Sequence, residues 1–344
     1  MLAEIKPVAG VDERVHLADE IPLEAPFTMN IFPTGACNFR CNYCAQSLGA
    51  DELKKRYNFA YDTMTLDTFE KVVDGMAEFK SKFKLLSFMG HGEPLLNKEL
   101  PRMIAMAKKA DVTKRIEIIT NGSLLTHDLS NRLVEAGLSN LRVSLQGITS
   151  EKYWQISRAK LDFGKFLNEL KYFSSLSTES KLYVKVVDTS LEAGEEEKFY
   201  ELFGDFANRM YVEHIKPVYD GVEYGKLQQD IMTDRYGNTH THREVCPLPF
   251  YMLAVWPNGD VAPCDAIYKP VMLGNVHEDK LTAMWQSDKM RNFLLLHLKK
   301  KRAEYAGCKN CCAPDDVSHP LDVLDDHVES LMSKIWHEED NNDS

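Results

Sequence analysis

Cys37, Cys41 and Cys44 stand within eight residues, spaced C-x3-C-x2-C, in a chain of 344 residues that holds eight cysteines. The next is not met until Cys246, and Cys264, Cys308, Cys311 and Cys312 follow. Clustered thiols in a chain without an export signal point to metal ligation rather than disulfides. Three thiolates do not close a tetrahedral zinc site, and no histidine lies beside them, so zinc would need a distant fourth ligand. A four-iron cluster held by three cysteines keeps one iron open. Such an iron can chelate a small molecule through an amine and a carboxylate, which makes the missing ligand a functional feature.

The elements that must carry these thiols alternate along the chain. Short apolar runs at 27–32, 84–89, 115–120, 141–145, 182–187 and 210–216 are expected strands. Between them, helices are expected at 65–79, 98–110, 163–174 and 195–208, with another from a Thr126 cap to Gly137. Leu66, Phe69, Val73 and Met76 share one helical face. Six βα repeats imply an α/β fold, a parallel sheet wrapped by helices and curled into a partial (β/α)6 TIM-type barrel. Functional residues then belong on the loops after the strands.

Residues 219–243 read as a polar linker. Beyond it, 251–256 and 260–263 form a hairpin around Pro257-Asn258-Gly259, because Asn-Gly is a strong turn signal. One long helix is expected over 280–301, with the basic run 299–302 as its solvated face, and a helix at 321–336 before a disordered end. The domain expectations are an arm at 1–26, the barrel at 27–218, the linker at 219–243, a hairpin-plus-helix domain at 244–315 and an acidic tail at 316–344.

The first cysteine loop resembles the cluster-binding loop of the radical S-adenosylmethionine (SAM) superfamily. The resemblance implies a [4Fe-4S] cluster on Cys37, Cys41 and Cys44, with Tyr43 against the adenine of SAM. GHGEP at 90–94 looks like the family's GGEP loop, so Gly92, Glu93 and Pro94 are implied to hold the SAM amino group. His91 replaces the usual second glycine. Thr120-Asn121-Gly122 resembles the TNG turn, and Val143-Ser144-Leu145-Gln146-Gly147 resembles the S-x-D-G element. Ser144 would approach the ribose. Gln146 stands where an aspartate is common and receives no role. Arg158 is a candidate partner for the SAM carboxylate, with a plain surface arginine as the alternative.

The later cysteines resemble a SPASM/Twitch extension. C-x12-G-x4-C, then GNV, a Trp-bearing helix and CxxC occur in order. The spacing is similar to that of the butirosin-pathway amino-cyclitol dehydrogenase. It implies one auxiliary [4Fe-4S] cluster on Cys246, Cys264, Cys308 and Cys311, with zinc on the same four thiolates as the alternative. Cys312 is left as a buried cysteine, an alternative ligand or a hydrogen-atom donor.

The family implies reductive cleavage of SAM to a 5'-deoxyadenosyl radical, which takes a hydrogen atom from substrate. The expected activity is a dehydrogenase-like oxidoreductase: two-electron oxidation of a sugar or cyclitol alcohol, the auxiliary cluster accepting an electron. Alternatives are a peptide-modifying maturase, a redox-neutral epimerase using Cys312, and a non-catalytic zinc protein. Only 26 residues precede the first strand, fewer than a leader-binding domain needs, which favours a small-molecule substrate over a peptide. Arg158, Lys185, Lys216, His240, His242 and Asp265 are available bases, none selected by sequence. A reducing flavodoxin- or ferredoxin-type donor is implied.

Composition narrows the rest. With 52 acidic and 41 basic side chains the formal charge is -11, against general nucleic-acid binding. No apolar run nears the roughly 18 residues that span a bilayer, and the first residues lack a signal-peptide layout, so the expected location is cytoplasmic and away from membranes.

Overall fold

The computed structural model describes residues 3–7, 14–224, 232–317 and 319–336. Among the described residues ten strands form one sheet: β1 (Glu4–Ile5), β2 (Thr28–Ile31), β3 (Leu85–Phe88), β4 (Ile116–Thr120), β5 (Asn140–Leu145), β6 (Lys181–Val187), β7 (Arg209–Glu213), β8 (Met252–Val255), β9 (Asp260–Ala262) and β10 (Gly274–Asn275). Their order is β1-β7-β6-β5-β4-β3-β2-β8-β9-β10. Strands β2 to β7 are the six expected, paired in parallel in chain order. β1, from the N-terminal arm, adds a parallel edge beside β7.

Alternation along the strands separates an apolar wall from a polar lumen. On β6, Leu182, Val184 and Val186 are buried against the helix layer. Tyr183 and Lys185, on the opposite face, line the interior cavity. Period-two side-chain geometry produces this division in any half-buried strand.

The helices start where capping residues permit. Thr65 accepts from the Thr68 N–H ahead of helix Leu66–Ala77. Thr126 accepts from the Leu129 N–H ahead of His127–Glu135. A cap of this kind satisfies one of the orphan donors at a helix start. Helices Ala50–Tyr57 and Ser150–Ser157 lie in stretches for which no helix was expected. The single helix expected over 280–301 is two, Leu281–Trp285 and Asp288–Leu298. Ser287 caps the second by accepting from the Met290 N–H, and its competing side-chain bond interrupts the run.

The hairpin forms as expected, β8 and β9 pairing antiparallel across Gly259, whose φ of 88° suits the turn. β8 also pairs in parallel with β2, so the hairpin extends the barrel sheet. Part of the acidic stretch expected as a tail packs inward. Leu324, Leu331 and Ile335 join Leu17, Ile21, Leu295 and Leu298 in a second core. The disordered end expected last falls on residues 337–344, outside the described residues. Among the described residues no helix is long and apolar enough to cross a membrane.

Candidate active site

The loop after β2 carries Cys37, Cys41 and Cys44, and the end of helix Ser150–Ser157 holds it. The Arg40 N–H donates to the Ser157 carbonyl at 2.8 Å and the Asn42 N–H to the Ile156 carbonyl at 2.9 Å. The three thiols share one neighbourhood. Burial pushes the Cys41 thiol well up, and Cys44 and Cys37 add to the rise. Arg158 closes that helix in the left-handed region with φ 57° and is exposed.

The loop after β3 packs directly on the cysteine loop. The Glu93 N–H donates to the Ala36 carbonyl at 2.7 Å. A Cβ on Gly92 would overlap the Thr34 carbonyl and reach the Ala36 oxygen at 2.6 Å, so only glycine permits this approach. Pro94 opens a short 3-10 turn. The Glu93 side chain, buried, ties three segments together. One oxygen accepts from the Leu95 N–H and the Thr120 hydroxyl, the other from the Asn121 N–H at 2.8 Å. Burial raises its pKa despite these donors. Asn121 in turn donates to Asn38 in the cysteine loop.

The third contact comes from β5. Gln146 Oε1 accepts from the Tyr43 hydroxyl and from Cys41 Sγ at 3.3 Å, while Nε2 donates to the Ser144 carbonyl. Sequence reading gave Gln146 no role; its place in the SLQG segment was the available signal. Ser144 pairs in register with Lys185 on β6. The structure therefore brings Tyr43, Gly92, Glu93, Thr120, Asn121 and Gln146 onto one side of the C-terminal strand ends.

The second cysteine group converges behind β8. Burial raises the Cys246 thiol first, then Cys311 and Cys308 do; Cys264 responds to burial, Asp265, Cys246 and Cys311. Arg302 donates to the Cys308 carbonyl at 2.5 Å and the Cys311 carbonyl at 3.1 Å, so this end of the 299–302 run braces the CxxC turn rather than a solvated face. All eight cysteines are free. Among the described residues no three His, Cys, Asp or Glu side chains close on one point tightly enough for a single metal ion.

A cavity of about 560 Å³ fills the barrel lumen, within the range of small-ligand sites. Gly90 and His91 border it on one side, Cys311 and Cys312 on another. Its wall carries ion pairs. Lys185 meets Glu213 at 2.5 Å, with side chains 15% and 7% exposed. Arg142 meets Glu117, and Arg235 of the supposed linker meets Asp316. Burial would raise Glu213, but the charges of Lys185 and Arg235 outweigh it and hold its pKa low. Burial lowers Lys185; Arg142 and Arg235 press the same way against the pull of Glu213. Asp265 lines the same cavity, bonded to Asn30 Nδ2 at 3.2 Å. The remaining base candidates are engaged elsewhere: Lys216 with the Thr233 carbonyl, His240 with the Thr241 carbonyl and His242 with Asp315.

The Radical SAM superfamily model matches residues 31–189, and the SPASM model, an iron-sulfur cluster-binding domain, matches residues 246–312. A GTP 3',8-cyclase of Chlorobaculum tepidum is 32% identical over 130 residues, 38% of this chain and 36% of that protein. One from Staphylococcus aureus is 29% identical over 155 residues, 44% of each chain. The chain thus spans less than half the length of these curated relatives. Among solved structures, BtrN in complex with AdoMet and 2-DOIA is 20% identical at a TM-score of 0.53, covering 83% of this chain and 92% of BtrN. Streptococcus suis SuiB bound to S-adenosylmethionine is 16% identical at 0.61, covering 80% and 68%. The anSMEcpe structure with bound AdoMet is 17% identical at 0.57, covering 92% and 100%. At these identities they share the fold.

The two domains imply SAM and two [4Fe-4S] clusters. The donor sets fit that requirement: three free thiols on one loop, and four more gathered around the hairpin and the CxxC turn. Buried thiols ionise only beside compensating positive charge, which a bound cluster supplies. The chain carries a Radical SAM superfamily domain over residues 31–189, followed by a SPASM iron-sulfur cluster-binding domain over residues 246–312.

Proposed function

We propose that this chain is a dehydrogenase-like radical SAM oxidoreductase acting on a small polar substrate, a sugar or cyclitol alcohol, held in the barrel lumen. The observation that supports it most is that one cavity, largely apolar but with buried ion pairs in its wall, borders both the SAM loop, at Gly90 and His91, and the auxiliary cysteine turn, at Cys311 and Cys312. When bound, SAM on the first cluster supplies hydrogen-atom abstraction, and the auxiliary cluster on Cys246, Cys264, Cys308 and Cys311 supplies a one-electron acceptor.

The chain's own residues orient and deprotonate. Tyr43, Gly92, Glu93, Pro94, Thr120, Asn121 and Ser144 form the SAM cradle. Lys185, in register with Ser144 one strand away and held as an ammonium by Glu213, hydrogen-bonds the substrate oxygen, and the Asp265 carboxylate on the same cavity wall takes the proton that an alcohol must lose. A buried ion pair adds little to fold stability, so its place in the lumen favours a functional role. Arg158 stays a candidate for the SAM carboxylate. The functional units are the barrel at 27–218 and the cluster domain at 244–315. A flavodoxin- or ferredoxin-type protein supplies electrons, and free cysteines throughout suit the reducing cytoplasm.

Anaerobic reconstitution should yield about eight irons for two [4Fe-4S] clusters. Cys246→Ala with Cys264→Ala should leave about four. Reduced protein should convert SAM to 5'-deoxyadenosine and take up deuterium from labelled polyols into it. An intact first cluster that gives no 5'-deoxyadenosine with any reductant removes the enzymatic reading. The position of Cys312 on the cavity wall favours a second reading, epimerisation with Cys312 as hydrogen donor. Solvent deuterium entering product carbon, and stopping in Cys312→Ser, would select it over oxidation.

A further inference from the structure

His91 stands in the loop after β3, between two glycines whose backbones are pressed against neighbours. Gly90 has φ 132° and abuts the Phe32 ring, and Gly92 abuts the Thr34 and Ala36 carbonyls. Its own carbonyl accepts from Gln46 Nε2, a residue just beyond Cys44. The backbone of His91 is therefore built into the first cysteine loop. Its side chain runs the other way. Nε2 lies 3.0 Å from the Asp265 carbonyl, directly after Cys264, and Nδ1 lies 3.3 Å from the Tyr219 hydroxyl. The imidazole stacks on Trp256 at the end of β8, 5.9 Å between centroids and 16° between planes, with Phe32 and Phe59 at its edges.

The bonding fixes the tautomer. A carbonyl only accepts, so Nε2 carries the proton and Nδ1 accepts from Tyr219. Burial pushes the pKa of the ring down to about 4, which keeps it in this neutral form. One side chain thus spans from the loop that takes SAM to the residue after an auxiliary ligand, with packed rings on its faces and edges.

We propose that His91 is a positioning residue that couples the two cluster sites, so that SAM settling on the Gly90–Pro94 loop shifts the Cys264–Asp265 segment and with it the auxiliary cluster. This rests on the reading of both sites given above. A closely packed junction transmits small displacements rather than absorbing them, and coupling between two binding sites is reciprocal.

The test uses the full chain with both clusters, dithionite-reduced, followed by electron paramagnetic resonance with and without SAM. Cys37→Ala/Cys41→Ala/Cys44→Ala protein supplies the signal of the auxiliary cluster alone. In the wild type, SAM should shift the signals of both clusters. In His91→Phe, which keeps a ring but loses both hydrogen bonds, the first cluster should still respond while the auxiliary response is lost. Tyr219→Phe, which loses one bond, should retain a partial auxiliary shift; it also serves if His91→Phe does not fold. Hydrogen exchange of 264–268 in the wild type should slow on SAM addition. An auxiliary signal indifferent to SAM in the wild type, or equally responsive in both variants, overturns the coupling. A first cluster that ignores SAM overturns the functional reading instead, so the two failures are distinguishable.

Discussion

Replacing Glu93 measures how firmly the SAM loop is tied to the strand beside it. Its carboxylate takes the Leu95 N–H at 2.9 Å, the Asn121 N–H at 2.8 Å and the Thr120 hydroxyl. Glu93→Ala strands two buried backbone donors, at roughly 1–3 kcal/mol each, while the Thr120 hydroxyl can rotate to another acceptor. The expected loss is about 4 kcal/mol, less whatever is regained by removing a buried charge. Glu93→Gln keeps the shape and one oxygen, and turns an NH2 toward a single N–H, so its loss is about 1–2 kcal/mol. Chemical denaturation of the reduced apo-protein, followed by circular dichroism, reads both values. The pH course is also fixed in sign. The raised pKa of Glu93 means that its stabilisation is full below the ordinary carboxylate value and is lost as pH rises through the raised one. The Gln deficit should therefore shrink as pH climbs through that window. Equal losses for Ala and Gln, or a deficit that grows with pH, would refute the reasoning.

Gly92→Ala should drive the Thr34–Ala36 backbone away and empty the first site, leaving about four irons at the second by iron assay and Mössbauer spectroscopy. For Glu213, whose pKa is lowered, the stabilisation is present above the ordinary carboxylate value and is lost as pH falls through the lowered one. Glu213→Gln should cost about 3–5 kcal/mol at neutral pH by stranding Lys185, and flatten the acid limb of the stability profile. Adding Lys185→Met should recover most of that loss.

Local signals carried the barrel far. The Thr126 cap, the apolar strand runs and the Asn-Gly turn each act within a few residues, and each is found where the sequence places it, while Thr65, read as the first helical residue, caps the helix instead. What escaped depends on distant partners. Helix Ala50–Tyr57 is largely charged, and its two buried residues, Leu53 and Tyr57, pack under elements far along the chain. Ser287 breaks a run whose helical periodicity continues across it. The linker reads as polar, yet Arg235 reaches Asp316, a pairing across 81 residues that no local pattern announces. Gln146 and the His91 ring were visible only as departures from a motif; their contacts supply the reason for them.

The ladder between β2 and β8 sets which flank of the sheet yields first. Four registered residue pairs weld the cluster domain to the barrel, so that flank cannot swing aside without tearing backbone hydrogen bonds. The opposite flank ends in β1, two residues long and held to β7 by two registered pairs. That two-residue margin is the weaker of the two flanks, so the sheet frays from the arm before it parts at the hairpin.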